Sequence, residues 1–330
     1  MSSAIKSRLL DLQKYGKFAT LDPKDLFDVY KVTHKFIELN PSPNSSINEF
    51  EYYQIIELNF NLCIQTNHDI EAKAMLDILE DKFNIELSER LIVLKSVYIE
   101  ATFNPQDALN FLNKSVNFFK NKTKDVDDLL LIKRRKFILE SRLATKKERL
   151  LIYISKLLEY LEIKPLDLMT WSELANEYTK LNLYDKAVYC YQEVLLIEPF
   201  AYNIFSKIGE LYLLSMLQLY LSVSHSGSLS AHNSENLLVL KSLSLKHFLR
   251  SVELCETFVR GWAGILKLTS KKFDVNLKII KKSSSTDVKQ NDDLHLLATK
   301  RLQKIVENDL SSSENIKIAE IVLKSYTHSD

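Results

Sequence analysis

Residues that could carry chemistry are few in this chain of 330 amino acids, and they lie far apart. The three cysteines, Cys63, Cys190 and Cys255, show no metal-ligand spacing, and each falls within an apolar helical pattern. Such a pattern predicts buried, reduced thiols. Two of the seven histidines, His225 and His232, share one short segment, but no cysteine or carboxylate cluster accompanies them. No metal site is therefore predicted.

Motifs of enzymes are also missing. The five glycines cannot form a Walker loop or a dinucleotide-binding fingerprint, and no H-E-x-x-H sequence occurs. No serine stands in the G-x-S-x-G context of a nucleophile elbow. The sequence predicts a protein that is not an enzyme and that binds no cofactor.

A short basic run is the sharpest local charge feature. Overall, 44 lysines and arginines face 43 aspartates and glutamates, so no global field steers the chain onto nucleic acid or an anionic membrane. Positive charge is concentrated locally in the run Lys133, Arg134, Arg135 and Lys136. We interpret this run first as the solvated face of a helix, second as a protein-docking patch, and third as a nucleic-acid site or import signal. The third interpretation is disfavoured because no aromatic residues alternate with the basic ones.

The elements that carry these residues are predicted to be helices. Only five glycines and six prolines occur, and 46% of the residues are apolar, which favours long helices around a continuous core. One stretch matches the 34-residue tetratricopeptide pattern W-x2-L-G-x2-Y…A-x3-F…P at nearly every anchor. The matching residues are Trp171, Leu174, Ala175, Tyr178, Ala187, Tyr191 and Pro199.

The spacing of prolines supports a repeat. Pro165 precedes Pro199 by 34 residues. The pattern residues of the first helix of the pair run from Trp171 to Tyr178, and 34 residues further on Phe205 to Tyr212 suit the same positions. The partner helix of that next pair is delayed by about 24 residues. The serine-rich segment 222–236 is predicted to be a surface loop inserted there.

The whole chain is predicted to be all-α, a tetratricopeptide-repeat superhelix (α-solenoid) forming a single domain over 1–330. Residues 1–48 form an N-terminal cap, 50–268 form about five helix pairs, and 269–330 form a linker and C-terminal capping helices. The uncharged stretch 211–223 is too short to span a membrane and is predicted to be a buried helix. The N-terminal residues carry charges and no apolar h-region, so we expect no secretory signal.

One family matches more of the chain than a generic repeat would. The stretch WSELANEYTKLNLYDKAVYCYQEVLLIEPFAYNIFSKIGELY, the preceding KRRK helix and the later KHFLRSVELCETFVRGWAGI resemble the family of subunit 2 of the endoplasmic reticulum (ER) membrane protein complex. The resemblance covers about residues 128–268, and the order of repeats together with the expanded repeat makes it specific.

The resemblance implies a peripheral scaffold subunit on the cytosolic face of the ER membrane. Such a subunit holds the cytosolic parts of membrane-embedded subunits and a further soluble subunit. The complex inserts hydrophobic segments, including tail anchors, into the bilayer. Two alternatives stay open: a tetratricopeptide adaptor of another multiprotein assembly and, less favoured, a basic-patch RNA-binding protein.

Three polar first-helix residues, Ser172, Asn176 and Lys207, are the predicted groove contacts for a partner. Related arrays often bind a carboxylate through a clamp of lysine, arginine and asparagine. Here Ser172 stands where a lysine belongs, and Lys207 replaces an asparagine. At the next repeat, Gly261 and Ile265 take the remaining basic positions. On this assignment the clamp is missing, which disfavours a chaperone-tail adaptor.

Overall fold

A computed structural model describes residues 2–43, 47–84, 88–122, 129–143, 148–224, 231–270, 273, 285–308 and 313–327. These residues contain fifteen α-helices and no β-strand, which confirms the predicted all-α fold class. The chain separates into two compact units, Met1–Lys156 and Leu157–Asp330. The arrangement of caps and pairs in a single domain stays a prediction.

The first unit contains the predicted N-terminal helices and two helix pairs. Its elements are α1 (Ser2–Tyr15), a 3-10 turn (Lys17–Thr20), α2 (Pro23–Leu39), α3 (Glu49–Gln65), α4 (Asp69–Lys82), α5 (Glu89–Thr102), α6 (Pro105–Lys122) and α7 (Leu130–Leu143). Helix α8 (Arg149–Ile163) begins in this unit and continues into the next.

Local sequence explains where these helices start and which faces they bury. Asn48 caps α3 by accepting a hydrogen bond from the backbone N–H of Glu51 at 2.8 Å, and the Glu51 carboxylate accepts one from the backbone N–H of Asn48 at 3.1 Å. This reciprocal pair satisfies two amides that the first helical turn leaves free. On α4 and α6, Ala72 and Ala108 are fully buried, so small side chains let each helix approach its partner closely.

The second unit contains the pair that carries the clearest sequence pattern. Its further helices are α9 (Leu168–Lys180), α10 (Tyr184–Ile197), α11 (Tyr202–Ser224), α12 (Ala231–Leu254), α13 (Val259–Thr269), α14 (Ser285–Glu307) and α15 (Ser313–Thr327). The indole Nε1 of Trp171 donates to the carbonyl of Pro165 at 2.7 Å. Trp262 makes the same bond, across the same six-residue separation, to the carbonyl of Glu256 at 2.7 Å. Trp262 is therefore the counterpart of Trp171 in a later repeat.

The loop predicted over 222–236 is wrong for most of its length. Residues 222–224 continue α11 and residues 231–236 open α12, while residues 225–230 lie outside the described part of the chain. The extra turns are helical because apolar side chains on both helices pack into one core. Met216 and Leu237 are fully buried there, next to Leu217 and Tyr220.

A phenylalanine ring sets the close packing of three helices in this unit. Phe248 on α12 is buried, and its ring would lie 3.1 Å from a Cβ built on Gly209 of α11. A Cβ on Gly264 of α13 would come within 2.5 Å of the same ring. The two glycines thus provide the space that the ring occupies.

Helices α14 and α15 lie in the segment 269–330, for which a linker and capping helices are predicted. Helix α14 begins at Ser285, in a polar stretch that contains no glycine or proline to stop a helix. Within the described residues, no helix is long and apolar enough to cross a membrane.

The cysteines are free, and two of the three are buried as predicted. Burial raises the pKa of the Cys63 thiol and of the Cys190 thiol to about 12, so both stay protonated. Cys255 is only half-buried because it follows the last residue of α12, so the burial prediction was wrong for this residue.

Candidate partner-binding groove

Two of the predicted groove residues lie one turn apart on α9. Ser172 is half-exposed and Asn176 is exposed, and their i, i+4 spacing places both on one face of the helix. The Asn176 side-chain oxygen accepts a hydrogen bond from the Tyr191 hydroxyl on α10 at 2.7 Å. Tyr191 is buried, and burial raises its pKa to about 12. The amide of Asn176 is thus fixed by the core beneath it.

The third predicted residue, Lys207 on α11, meets the same tyrosine. Its ammonium lies 5.2 Å from the centroid of the Tyr191 ring, within the range of a cation–π contact. Burial lowers the pKa of Lys207, the positive charge of Arg260 lowers it further, and Glu210 acts in the opposite direction. The structure therefore brings Asn176 and Lys207 together through Tyr191.

Two further charged residues belong to this groove and were not predicted. Arg260 at the start of α13 donates from Nε to the Glu210 carboxylate of α11 at 2.5 Å. The same arginine is close enough to Lys207 to shift its pKa. We define the groove by Ser172, Asn176, Lys207, Glu210 and Arg260.

The indole hydrogen bonds explain why Arg260 was missed. Trp262 matches Trp171 in its indole hydrogen bond, and Arg260 lies two residues before Trp262, next to the assigned position Gly261. Gly261 and Ile265 are buried in the core. A basic residue therefore lies directly beside an assigned position, and the repeat tryptophan was the signal that could have located it.

The charges of the groove favour an anionic ligand group. Lys207 and Arg260 contribute two cations, and Glu210 contributes one carboxylate, so the net charge of the set is positive. The Asn176 amide and the remaining N–H groups of the exposed Arg260 can donate hydrogen bonds. Such a set can bind a carboxylate of a peptide segment.

The predicted basic run lies on α7 in the other unit. Lys133 and Arg134 are half-exposed. Arg135 is buried, donates to the Ser96 hydroxyl at 3.0 Å and forms an ion pair with Glu100 of α5. Arg135 therefore holds α7 against α5, in place of the partner-binding role that was predicted for it.

No group of histidine, cysteine or acidic residues suited to a metal ion is found in the described part of the chain.

Comparisons with known proteins place these features in a family context. A family model described as the EMC2 TPR-like repeat domain matches residues 118–226. The ER membrane protein complex subunit 2 of Saccharomyces cerevisiae is 23% identical over 324 residues, which cover 98% of this chain and 99% of the yeast protein. The predicted resemblance is confirmed.

A second relative is also named as a tetratricopeptide (TPR) repeat protein. The TPR repeat protein oca3 of Schizosaccharomyces pombe is 28% identical over 232 residues, which cover 70% of this chain and 71% of that protein. Among solved structures, the C-terminal part of a TPR repeat-containing protein from Cytophaga hutchinsonii aligns with a TM-score of 0.46 at 11% identity. That alignment covers 94% of this chain and 98% of the other.

Proposed function

We propose that the chain is a non-catalytic scaffold subunit on the cytosolic side of the ER membrane protein complex. In that role it holds the cytosolic parts of membrane-embedded subunits and a further soluble subunit, and so supports insertion of membrane proteins, including tail-anchored ones. The near full-length similarity to the yeast subunit supports this assignment. Stacked helix pairs also suit it, because they spread affinity over many moderate contacts.

The similarity to the yeast subunit over 98% of this chain is the observation that carries the subunit proposal. The groove on α9, α11 and α13 is proposed as one of its partner contacts. The ammonium of Lys207 is half-buried and lies 5.2 Å from the centroid of the Tyr191 ring, so we expect this contact to order the side chain before a partner binds. A pre-ordered cation loses little conformational entropy when it pairs with an anionic group. The groove is therefore suited to an acidic or carboxylate-ended segment of a partner subunit.

The test is purification of the tagged chain from ER membranes in mild detergent, with identification of the partners. We expect integral ER membrane subunits to co-purify, and alkaline carbonate to release the chain from membranes. The double variant Lys207→Met, Arg260→Met keeps the apolar stems and removes both charges. We expect this variant to bind at least one partner with an affinity about tenfold lower, which corresponds to a loss of about 1.4 kcal/mol of binding free energy.

Lys164→Met is the matched control, because Lys164 is exposed just after the last residue of α8 and is not part of the groove. This variant is expected to retain all partners. Recovery of the wild-type chain without any membrane partner would refute the subunit assignment. An intact set of partners around the double variant would instead refute the role of the groove.

The same purification separates the two alternatives. Capture of one soluble multiprotein assembly in place of ER membrane proteins would favour the adaptor. Strong, salt-sensitive RNA binding would favour the RNA-binding protein. The burial of Arg135 argues against the latter, because it removes one cation from the basic run.

A further inference from the structure

A second surface lies in the first unit, between the two N-terminal helices. Helices α1 and α2 each pack against α3 and leave a cleft of about 380 Å3 between them. We call this the N-terminal cleft. Its lining residues are Ile5, Arg8, Leu9, Leu12, Leu21, Asp25, Asp28, Val29 and Val32.

The two walls of the cleft present the same helical pattern. On α1 the lining residues fall at 5, 8, 9 and 12, and on α2 they fall at 25, 28, 29 and 32. Both sets follow i, i+3, i+4, i+7, so each wall is one face of a helix over two turns, about 10.5 Å long. Two such parallel stripes with an open space between them form a surface that a third helix can fill.

The cleft is apolar at its floor and charged at its rims. Leu9, Leu12 and Val29 are buried in the floor, whereas Val32 is 46% exposed at the wall. Asp25 and Asp28 lie exposed on the α2 rim, and Arg8 lies exposed on the α1 wall, so the acidic charge is confined to the α2 side of the cleft. Their carboxylates face solvent along one side of an apolar floor.

Contacts on the far sides of α1 and α2 keep the cleft open. Lys6 of α1 pairs with Glu51 of α3 at 3.0 Å. The Tyr30 hydroxyl of α2 donates to Glu71 of α4 at 2.6 Å. Both helices are therefore held by their other faces, and a ligand meets a preformed surface.

We propose that the N-terminal cleft binds an amphipathic helix of a partner protein, with aliphatic side chains inserted between α1 and α2 and basic residues along the flank that meets Asp25 and Asp28. A helix supplies anchors at the spacing of the two walls, and its basic flank complements the acidic rim. The assignment does not depend on the proposed function of the groove, because it concerns the other unit.

The test uses the purified full chain and a stapled 14-residue helical peptide. The peptide carries leucine on one face at i, i+3, i+4 and i+7, lysine along one flank and glutamine elsewhere. A second peptide has glutamate in place of every lysine. Fluorescence anisotropy is expected to show saturable binding of the lysine peptide and at least fivefold weaker binding of the glutamate peptide.

Variants of exposed residues locate the binding. Val32→Asp is expected to lower the affinity for the lysine peptide at least tenfold, because it places a charge against the inserted side chains. Asp28→Lys is expected to lower the same affinity about fivefold. Asp25→Lys combined with Asp28→Lys is expected to reverse the preference towards the glutamate peptide. Asp81→Lys on α4 is the charge-matched control and is expected to leave the affinity unchanged.

Three results would overturn the proposal. One is absence of saturable binding of the lysine peptide, and another is equal affinity of Val32→Asp and wild type when both have the same circular dichroism. The third is dimerisation of the chain that Val32→Asp abolishes, since the cleft would then bind a second copy. Reversal of the charge preference with the paired variant would support the acidic rim as the recognition element.

Discussion

Replacing Arg135 tests whether the basic run serves the fold or a partner. The Arg135 and Glu100 side chains are 10% and 12% exposed and form an ion pair. Arg142 pairs with the same carboxylate but is 50% exposed. The two arginines therefore share one acceptor and differ in burial, which makes Arg142 the matched control.

The structure sets the size of the expected effect. Removing one partner of a buried ion pair costs about 3–5 kcal/mol when the other charge is left unpaired. Glu100 keeps Arg142, and the Ser96 hydroxyl keeps its bond to the Val93 carbonyl at 2.6 Å, so the penalty is reduced. We expect Arg135→Met to lower the free energy of unfolding by about 2 kcal/mol. Arg142→Met should lower it by about 0.5 kcal/mol, as for an exposed pair.

The assay is urea unfolding of the full chain followed by circular dichroism at 222 nm, with the slopes compared as well as the midpoints. A double-mutant cycle with Glu100→Gln isolates the pairwise energy, and a coupling above about 1 kcal/mol is expected for Arg135. Equal losses for Arg135→Met and Arg142→Met would refute the reasoning. They would show that burial of Arg135 adds nothing to its pairing.

Two other predictions concern the second unit. Burial lowers the pKa of His247, so the unfolded chain binds its proton first as the pH falls. The stability that depends on the neutral ring is complete above about pH 6.5 and is lost as the pH falls below it. His247→Phe should therefore reduce the difference between the free energies of unfolding measured at pH 7.5 and at pH 5.5. An unchanged difference would contradict this prediction. Gly264→Ala should destabilise by about 1–3 kcal/mol, because the new methyl group would lie 2.5 Å from the buried Phe248 ring. Phe248→Leu in the same chain should recover part of that loss in thermal unfolding, whereas purely additive losses would exclude the clash as the cause.

The helix pairs were predictable because their signals are local. The spacing of Trp171, Tyr191 and Pro199 lies within one repeat, and it places apolar faces and helix ends correctly. Asn176 and Lys207 were predicted as groove residues from their positions on first helices. The structure places them around the same tyrosine. Local periodicity was sufficient because each repeat packs mainly against its neighbours.

Errors arose where a polar stretch was interpreted without its partner helix. The segment 222–236 is rich in serine, yet much of it is helical, because α11 and α12 bury apolar residues against each other along their added turns. Tertiary packing here overrides the weak helix propensity of serine. The insertion lengthened two helices.

The repeat class, the phase of the clearest pair and the types of residue available for a groove follow from the amino-acid sequence alone. The packing of the helices was needed to show which charges are buried and which are exposed. Arg135 meets Glu100 across 35 residues, and Arg260 meets Glu210 across 50. The cleft between α1 and α2 likewise exists because both helices pack on a third. Distant pairings of this kind depend on how helices pack, and the 3.6-residue period of a single helix carries no information about its neighbour.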